Sequence, residues 1–442
     1  MTEVSGQEHI QRMLRDVVER LNPRTLVADA LVRSDDDRLR ISGISREIDL
    51  PGKLFVVAVG KASISMAAGA IDALGDRLSG AVAVTKGGLP PSVDPPERLE
   101  VIEADHPVPT EKSLHAGKRV RDLVADLEAD DVVLMLISGG GSALIEDLVD
   151  GVTIDDLRGA TDHLLRAGAT INELNAVRRR ISLIKGGRLA RTAAPARIAN
   201  LIVSDVLNSP LQDIASGPTV EPPSSDDTFD AVMRRPDLID GLPESIRSEL
   251  NAQQRLDEPW PENVVGSTIL ADAETAARAA LDSAVGLGYR VQTLGFDFQG
   301  EAREFGATWA TIARHAARDQ HAFTRPIALL GSGELTVTVR GDGAGGRNTE
   351  MALAAAMGIA DFTGITICSF ATDGDDGVSK CAGGIVTGES LAALKPAGID
   401  ASYSLNHNDS AAALGKIGAT IDIGPTGTNV NDLYIALIRD QD

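Results

Sequence analysis

The chain has 442 residues, with 42 basic and 64 acidic side chains and a net charge of −22. Its length exceeds what one hydrophobic core ordinarily organises, since single cores stop growing near ~250 residues, so two domains are expected. So negative a surface disfavours nucleic acid and anionic membranes as partners, and no run approaches the ~18 apolar residues of a membrane helix. Two cysteines, Cys368 and Cys381, cannot build a disulfide framework, and the opening residues lack the basic head and apolar middle of a secretory signal. A cytoplasmic chain with structural thiols is expected.

Ile10, Met13, Leu14, Val17, Val18 and Leu21 recur at helical spacing and predict an opening helix over roughly 7 to 32 that packs on a sheet. From Leu54 onward the apolar residues come in short continuous runs, LFVVAVG, AVAVT, LEVIEA, DVVLMLISGGG and ANLIVSDV, each followed by a turn and a helical segment. Unbroken runs of this kind suit parallel strands covered on both faces. They predict a Rossmann-like, doubly wound and mainly parallel α/β domain over 1–260. The stretch from Pro222 to Pro261, rich in proline and acids, reads as surface elements and a connection. Beyond it VVGSTILAD, YRVQTLGF, RPIALLGSGELTVTVRG, GITICSFATDG and ATIDIGP predict a second, smaller α/β domain over 261–442. The strict alternation of LTVTVRG predicts an antiparallel or edge strand there, hence a mixed sheet.

In open α/β sheets ligands bind where strands end and helices begin, so chemistry is expected at those positions. The first run ends in Gly60-Lys61-Ala62-Ser63, a glycine turn presenting a lysine near a helix start. It is half of a P-loop at most, because Phe55 stands where the first glycine belongs and Ala62 follows the lysine; alone, Lys61 reads first as a structural or solvated lysine. Ser138, Gly139, Gly140, Gly141 and Ser142 form a turn whose amides can curl around a phosphate, or simply a flexible turn. Asp205, at the tip of the next run, suits either a Mg²⁺ ion or a helix cap, and the turn containing Ser216 and Gly217 follows it.

In the second half Glu334 closes a strand, and Gly345-Gly346-Arg347-Asn348 opens a helix with a guanidinium suited to phosphate or carboxylate. Asp373, Asp375 and Asp376 crowd one turn, which a cation would relieve and which solvent would also tolerate. Thr426 and Asn429 offer a hydroxyl and an amide for gripping a hydroxy acid. No HExxH or zinc pair occurs, and His106, in Ala104-Asp105-His106-Pro107, reads as a packed loop residue that stays a site candidate.

Taken in order, GKAS, ADHPVPTEKS, SGGGSAL, ELNAVRRRISLIKGGRLA, LIVSDV, IASGPT, GSGE, GGRNTE, TDGDDG, HNDS and GPTGTNVND resemble the signature series of the glycerate 2-kinase family from about Val56 to Leu433. The resemblance implies a Rossmann-like domain, a smaller MOFRL domain, an active site in the cleft between them, and transfer of the ATP γ-phosphoryl group to the 2-hydroxyl of D-glycerate. It implies Lys61 and Arg347 as catalytic residues. Ser138, Gly139, Gly140, Gly141, Ser142, Asp205, Ser216, Gly217 and Glu334 are assigned to the nucleotide. Lys61, Arg347, Asn348, Thr426 and Asn429 are assigned to the substrate, and Asp205, Asp373 and Asp376 to Mg²⁺. D-Glycerate and ATP are the expected partners, and a homodimer is left open. TDGDDGVSKCAGG departs from the pattern in lacking prolines, and HNDSAAAL in lacking an aromatic after the serine, departures that bear on substrate preference. The rivals are an NAD(P)H-dependent hydroxypyruvate reductase and a phosphosugar-binding module without turnover.

Overall fold

The computed structural model describes residues 5–88, 94–222, 227–252, 259–319 and 323–440. They fall into two compact units, Pro23–Leu270 and a second made of Met1–Asn22 with Ala271–Asp442. The division expected at residue 260 therefore differs at both ends. The opening helix stops at Arg20, and a separate helix, Pro23–Ala30, begins with a proline whose fixed φ and missing donor suit a first helical position. The first of these helices, Gly6–Arg20, packs with the C-terminal half. His9 Nδ1 lies 2.9 Å from the Tyr289 hydroxyl, and Arg20 pairs with Asp282 at 2.5 Å.

In the unit Pro23–Leu270 a small antiparallel sheet, β1 (Leu31–Arg33), β2 (Arg38–Ile41) and β3 (Ile48–Asp49), precedes the main one. The main sheet contains β4 (Leu54–Val59), β5 (Gly80–Lys86), β6 (Leu99–Ala104), β7 (Val132–Ile137), β8 (Arg197–Val203) and β9 (Val264–Ala271), in the order β6-β5-β4-β7-β8-β9. β4 pairs in parallel with β5 and β7, β5 with β6, and β7 with β8. Every residue of β7 is buried, as the unbroken apolar run requires. Strand order reverses between β4 and β7, the switch point at which such sheets bind ligands.

Two expectations change here. VVGSTILAD supplies β9 of this sheet rather than opening the second domain. The segment read as a connection contains helices Asp227–Met233, Pro236–Ile239 and Glu244–Ala252. Their Phe229, Leu238 and Ile246 pack with Leu157, Leu164, Leu174 and Val177 into a satellite core, while its residues 223–226 and 253–258 lie outside the described residues. Helices with an apolar stripe need a partner layer, and proline-rich junctions hide that stripe from a local reading.

The other unit holds β10 (Arg290–Phe298), β11 (Ile327–Gly333), β12 (Ile365–Ala371), β13 (Gly383–Thr387) and β14 (Asp432–Ile438), ordered β10-β11-β14-β12-β13. Only β10 and β11 pair in parallel, so the sheet is mixed as expected. Helices Ala302–Arg318 and Arg347–Gly358 pack closely on it: a Cβ on Gly306 would lie 2.3 Å from the Met351 carbonyl. The alternating LTVTVRG forms no strand. After Gly333 the amides of Glu334 and Thr336 bond to Phe298 and Gly300, and only the Glu301–Thr336 bridge remains, because the β11–β14 ladder ends at Gly333 and Asp432. ATIDIGP likewise leaves a single bridge, Gly384–Thr420.

Candidate functional site

The loops after β4, β6, β7 and β8 come together at the carboxyl ends of the parallel sheet. The Lys61 amide donates to the Gly139 carbonyl at 2.9 Å, the Gly60 amide to Val84 at 3.1 Å, and the Ala62 amide to Ser138 Oγ at 3.1 Å. Gly60 has φ 123°, and a Cβ there would sit 2.2 Å from Ser138 Oγ, so only glycine lets the two turns touch. Lys61 is thus exposed on a backbone fixed from both sides, ahead of the helix Ser63–Leu74. Asp205 packs against the turn: a Cβ on Gly139 would lie 2.0 Å from its Oδ2.

His106 lies across the same turn. Its Cδ2 is 3.0 Å, and Lys61 Cγ 3.6 Å, from where a Cβ of Gly140 would stand, and Gly140 itself has φ 83°. The loop carrying it is pinned by Asp105, which accepts from Thr110 Oγ1 at 2.9 Å and Lys112 Nζ at 3.2 Å. Burial, and then the charges of Lys61 and Lys86, push the imidazole down to about 4, so it is neutral at pH 7. His106 therefore stands beside Lys61 and the glycine turn.

Beneath the glycine turn, Ser142 Oγ lies 2.8 Å from Ser216 Oγ. Ala215, Ser216 and Gly217 are consecutively left-handed, with φ of 50°, 61° and 61°. Such strain persists where the surroundings over-determine it, commonly around ligand sites. Here the Gly186 and Gly187 amides donate to the Ser216 and Gly217 carbonyls at 3.0 and 2.7 Å. A buried ion pair, Lys185 with Glu146, anchors that support, and Glu146 also accepts from Ser182 Oγ at 2.5 Å. Neither partner is legible in the sequence, where a lysine and a glutamate 39 residues apart carry no pairing signal.

A second constellation stands in the other unit, at the end of the mixed sheet where β11 finishes and β14 begins. Arg347 is the first residue of its helix. Its Nε donates to Asp432 Oδ2 at 2.5 Å, its Nη2 to Asp432 Oδ1 at 3.1 Å, and its Nη1 to Glu334 Oε1 at 3.0 Å. Burial works to lower the guanidinium, but Asp432 and Glu334 outweigh it and hold Arg347 above its ordinary range. At Asp432, which is 1% exposed, burial dominates instead and lifts the carboxyl to about 6 against the pull of Arg347. Asp432 is not among the residues expected from the sequence. Its signal is an aspartate at the head of the wholly apolar run LYIALI, since a buried carboxylate demands a partner.

Several expected site residues also hold the unit together. Asp376 is buried, and its carboxylate accepts from the Asn348 amide, the Thr349 amide and Thr349 Oγ1, each at 2.8 Å. It caps the Arg347 helix from another loop, which replaces the expected metal role. Asn348, expected at the substrate, is fully buried and accepts from Ser369 Oγ at 2.6 Å while donating to Asp376 at 3.3 Å. Thr426 Oγ1 donates to the Thr372 carbonyl at 2.6 Å, joining the acidic turn to the turn that carries Asn429. Asp373 Oδ1 accepts the Asp375 amide at 3.1 Å. Glu334, expected at the nucleotide, is the exposed partner of Arg347. Among the described residues no three His, Cys, Asp or Glu side chains gather as for a bound metal ion, and no helix is long and apolar enough to cross a membrane.

Glycine turns bearing a lysine at the switch point of a parallel sheet, and a clamped arginine on a mixed one, define a two-unit α/β protein with basic side chains at its strand ends. Residues 9–251 match a family model described as a domain of unknown function, DUF4147, and residues 327–432 match the MOFRL family. The chain is 36% identical to the glycerate 2-kinase of Pyrococcus horikoshii over 97% of its own length and 96% of that enzyme's. It is 39% identical to a putative hydroxypyruvate reductase of Agrobacterium vitis over 93% of each. Among solved structures, the glycerate kinase of Thermotoga maritima superposes with a TM-score of 0.86 at 35% identity, covering 98% of this chain and 99% of that one. The chain belongs to the glycerate 2-kinase family.

Proposed function

We propose that this protein transfers the γ-phosphoryl group of ATP to the 2-hydroxyl of D-glycerate, giving 2-phosphoglycerate, ADP and a proton. The observation that carries the reading is the cationic, glycine-lined Lys61 turn at the switch point of a chain whose net charge is −22. Two anions meet in this reaction, and only local positive groups let so acidic a protein accept them. As the hydroxyl oxygen bonds to the γ-phosphorus, the bond to the β–γ bridging oxygen breaks and the hydroxyl proton departs. Little covalent chemistry is left for the protein, so positioning and charge carry the catalysis.

Lys61 offsets charge on the phosphoryl oxygens, and the glycines at 139, 140 and 141 let a phosphate approach the backbone. Neutral His106 offers a hydrogen bond without adding charge. Arg347 turns Nη1 toward an anionic oxygen that replaces Glu334, with Asp432 fixing the guanidinium plane. Thr426 and Asn429 remain assigned to glycerate, and Ser216 and Gly217 to support of the nucleotide turn. Magnesium carried with ATP supplies neutralisation of the β- and γ-phosphate charge. Asp205 fits it by donor chemistry, because a phosphate-bound Mg²⁺ needs only one or two protein carboxylates. A cytoplasmic location is part of the same reading, as the compartment that supplies ATP.

The test is incubation with ATP, Mg²⁺ and D-glycerate, followed by ADP release and phosphorus NMR. The product signal is expected as a doublet, split by the single proton on C2. A triplet, split by the two protons on C3, would reassign the hydroxyl. Oxidation of NADH by hydroxypyruvate without ATP turnover would overturn the reading in favour of a reductase.

A further inference from the structure

The segment His407-Asn408-Asp409-Ser410 has no part in the chemistry above, yet it runs the length of the loop that delivers Arg347. Asn408 is 6% exposed and left-handed, with φ 54°. Its Oδ1 accepts from the Arg340 amide at 2.6 Å and the Gly341 amide at 3.0 Å. Its Nδ2 donates to the Thr338 carbonyl at 3.3 Å and to Glu350 Oε2 at 3.1 Å. All four hydrogen-bonding positions of one buried amide are therefore used, and every one reaches the loop or the helix on either side of Arg347.

The rest of the segment continues the pattern. The Gly343 amide donates to the His407 carbonyl, and the Ala344 amide to Asp409 Oδ1, both at 3.0 Å. The Ala411 amide donates back to the Ala344 carbonyl at 3.0 Å. Ser410 Oγ donates to Thr349 Oγ1 at 2.9 Å, and Thr349 Oγ1 accepts the Gly346 amide at 2.9 Å. Three of the loop glycines exist for this contact: a Cβ on Gly341, Gly343 or Gly345 would fall 2.5 Å from His407, Asp409 or Ser410. Glu350, the helix residue that Asn408 reaches, is 1% exposed and is held by Arg303, whose Nε donates at 2.8 Å. Arg303 Nη2 also donates to the Leu405 carbonyl at 2.6 Å, closing the circuit back onto the segment.

We propose that Asn408 is the positioning residue for Arg347, setting the 338–346 loop as a template and so fixing where the guanidinium stands. It touches no reacting atom. Its effect on rate passes through Arg347, and the inference rests on the phosphoryl-transfer reading for its kinetic part only. A displaced catalytic group costs up to ~10²-fold even when the change lies away from the chemistry.

Asn408→Gly is the discriminating variant, because glycine accepts φ 54° and only the side-chain hydrogen bonds are lost. With D-glycerate and ATP, kcat/KM is expected to fall by about 10- to 100-fold, chiefly in kcat, while the same change in an Arg347→Ala background produces no further fall. Amide exchange at Arg340 and Gly341 is expected to accelerate, and the Arg347 Nε–H resonance, assigned by its loss in Arg347→Lys, to shift or broaden. An equal further fall in the Arg347→Ala background would overturn the proposal, as would an unshifted Arg347 resonance in a folded Asn408→Gly protein. The resonance needs no turnover. A wild-type enzyme that fails to phosphorylate glycerate therefore sinks the functional reading alone, and the resonance still decides the role of Asn408.

Discussion

The two cationic constellations are built on opposite principles. Lys61 is held by backbone: glycines at 60 and 139 let two turns interlock, and the exposed side chain stands on that frame. Arg347 is held by charge, its guanidinium gripped by a buried carboxylate and an exposed one. The difference teaches how a strongly acidic chain keeps positive groups available. A lysine with a flexible stem needs only a rigid platform, whereas a planar guanidinium must be oriented, and a bidentate carboxylate orients it. The cost of the second solution is a buried aspartate that depends on its partner.

The largest effect expected from this contrast comes at Arg347. Arg347→Ala should lower kcat by ~10³-fold or more, the range seen when an arginine that stabilises phosphoryl-transfer charge is removed. It should also destabilise the fold by about 3–5 kcal/mol, because Asp432 is left buried without its partner. Adding Asp432→Asn should restore the melting temperature without restoring the rate. A single variant as stable as wild type would break the comparison.

Lys61→Ala comes next, with kcat expected to fall by ~10²–10³-fold, in line with the loss of one electrostatic stabiliser. Its melting temperature should stay near that of wild type, since exposed substitutions ordinarily stay within about 0.5 kcal/mol. Equal destabilisation by the two alanine variants in thermal unfolding would show that the lysine, too, is a structural ion-pair member.

What was legible in the sequence follows from the same contrast. The Lys61 turn announces itself locally, because unbroken apolar runs and adjacent glycines are both contiguous in the chain. The Arg347 clamp does not, since Asp432 lies far along the sequence and its meaning depends on β14 being the central strand between β11 and β12. Asp376 and Asn348 misled for a related reason: a polar residue beside a glycine looks the same in sequence whether it faces a ligand or caps a helix from across the fold. The opening helix and β9 went to the wrong halves because their apolar stripes fit either sheet. Only tertiary packing, Gly6–Arg20 against the C-terminal half and β9 beside β8, decides between them. LTVTVRG alternates as a strand should, yet the β11–β14 ladder ends at Gly333 and Asp432, and the segment beyond it finds a single bridge.

The smallest expected effect is on pH dependence, and it separates the two constellations by sign. Burial raises Asp432 to about 6, opposed by Arg347 and reinforced by Asp376, so its folded value lies above the unfolded one of 3.8. The folded state then takes up a proton as pH falls through 6. Stability from this group is therefore greatest at low pH and is lost as pH rises through 6, while a protonated Asp432 no longer orients Arg347 and activity falls on acidification. His106 runs the other way: its value is lowered from 6.5 to about 4, so its stability contribution is complete above 6.5 and is lost as pH falls toward 4. Asp432→Asn should remove the acid limb of kcat near pH 6 and make the melting temperature less favoured by acid. His106→Gln should leave that limb in place and blunt the acid loss of stability. Were the kcat limb to vanish in His106→Gln and persist in Asp432→Asn, the proton that matters would belong to the lysine turn, and the oriented-guanidinium account of Arg347 would fail.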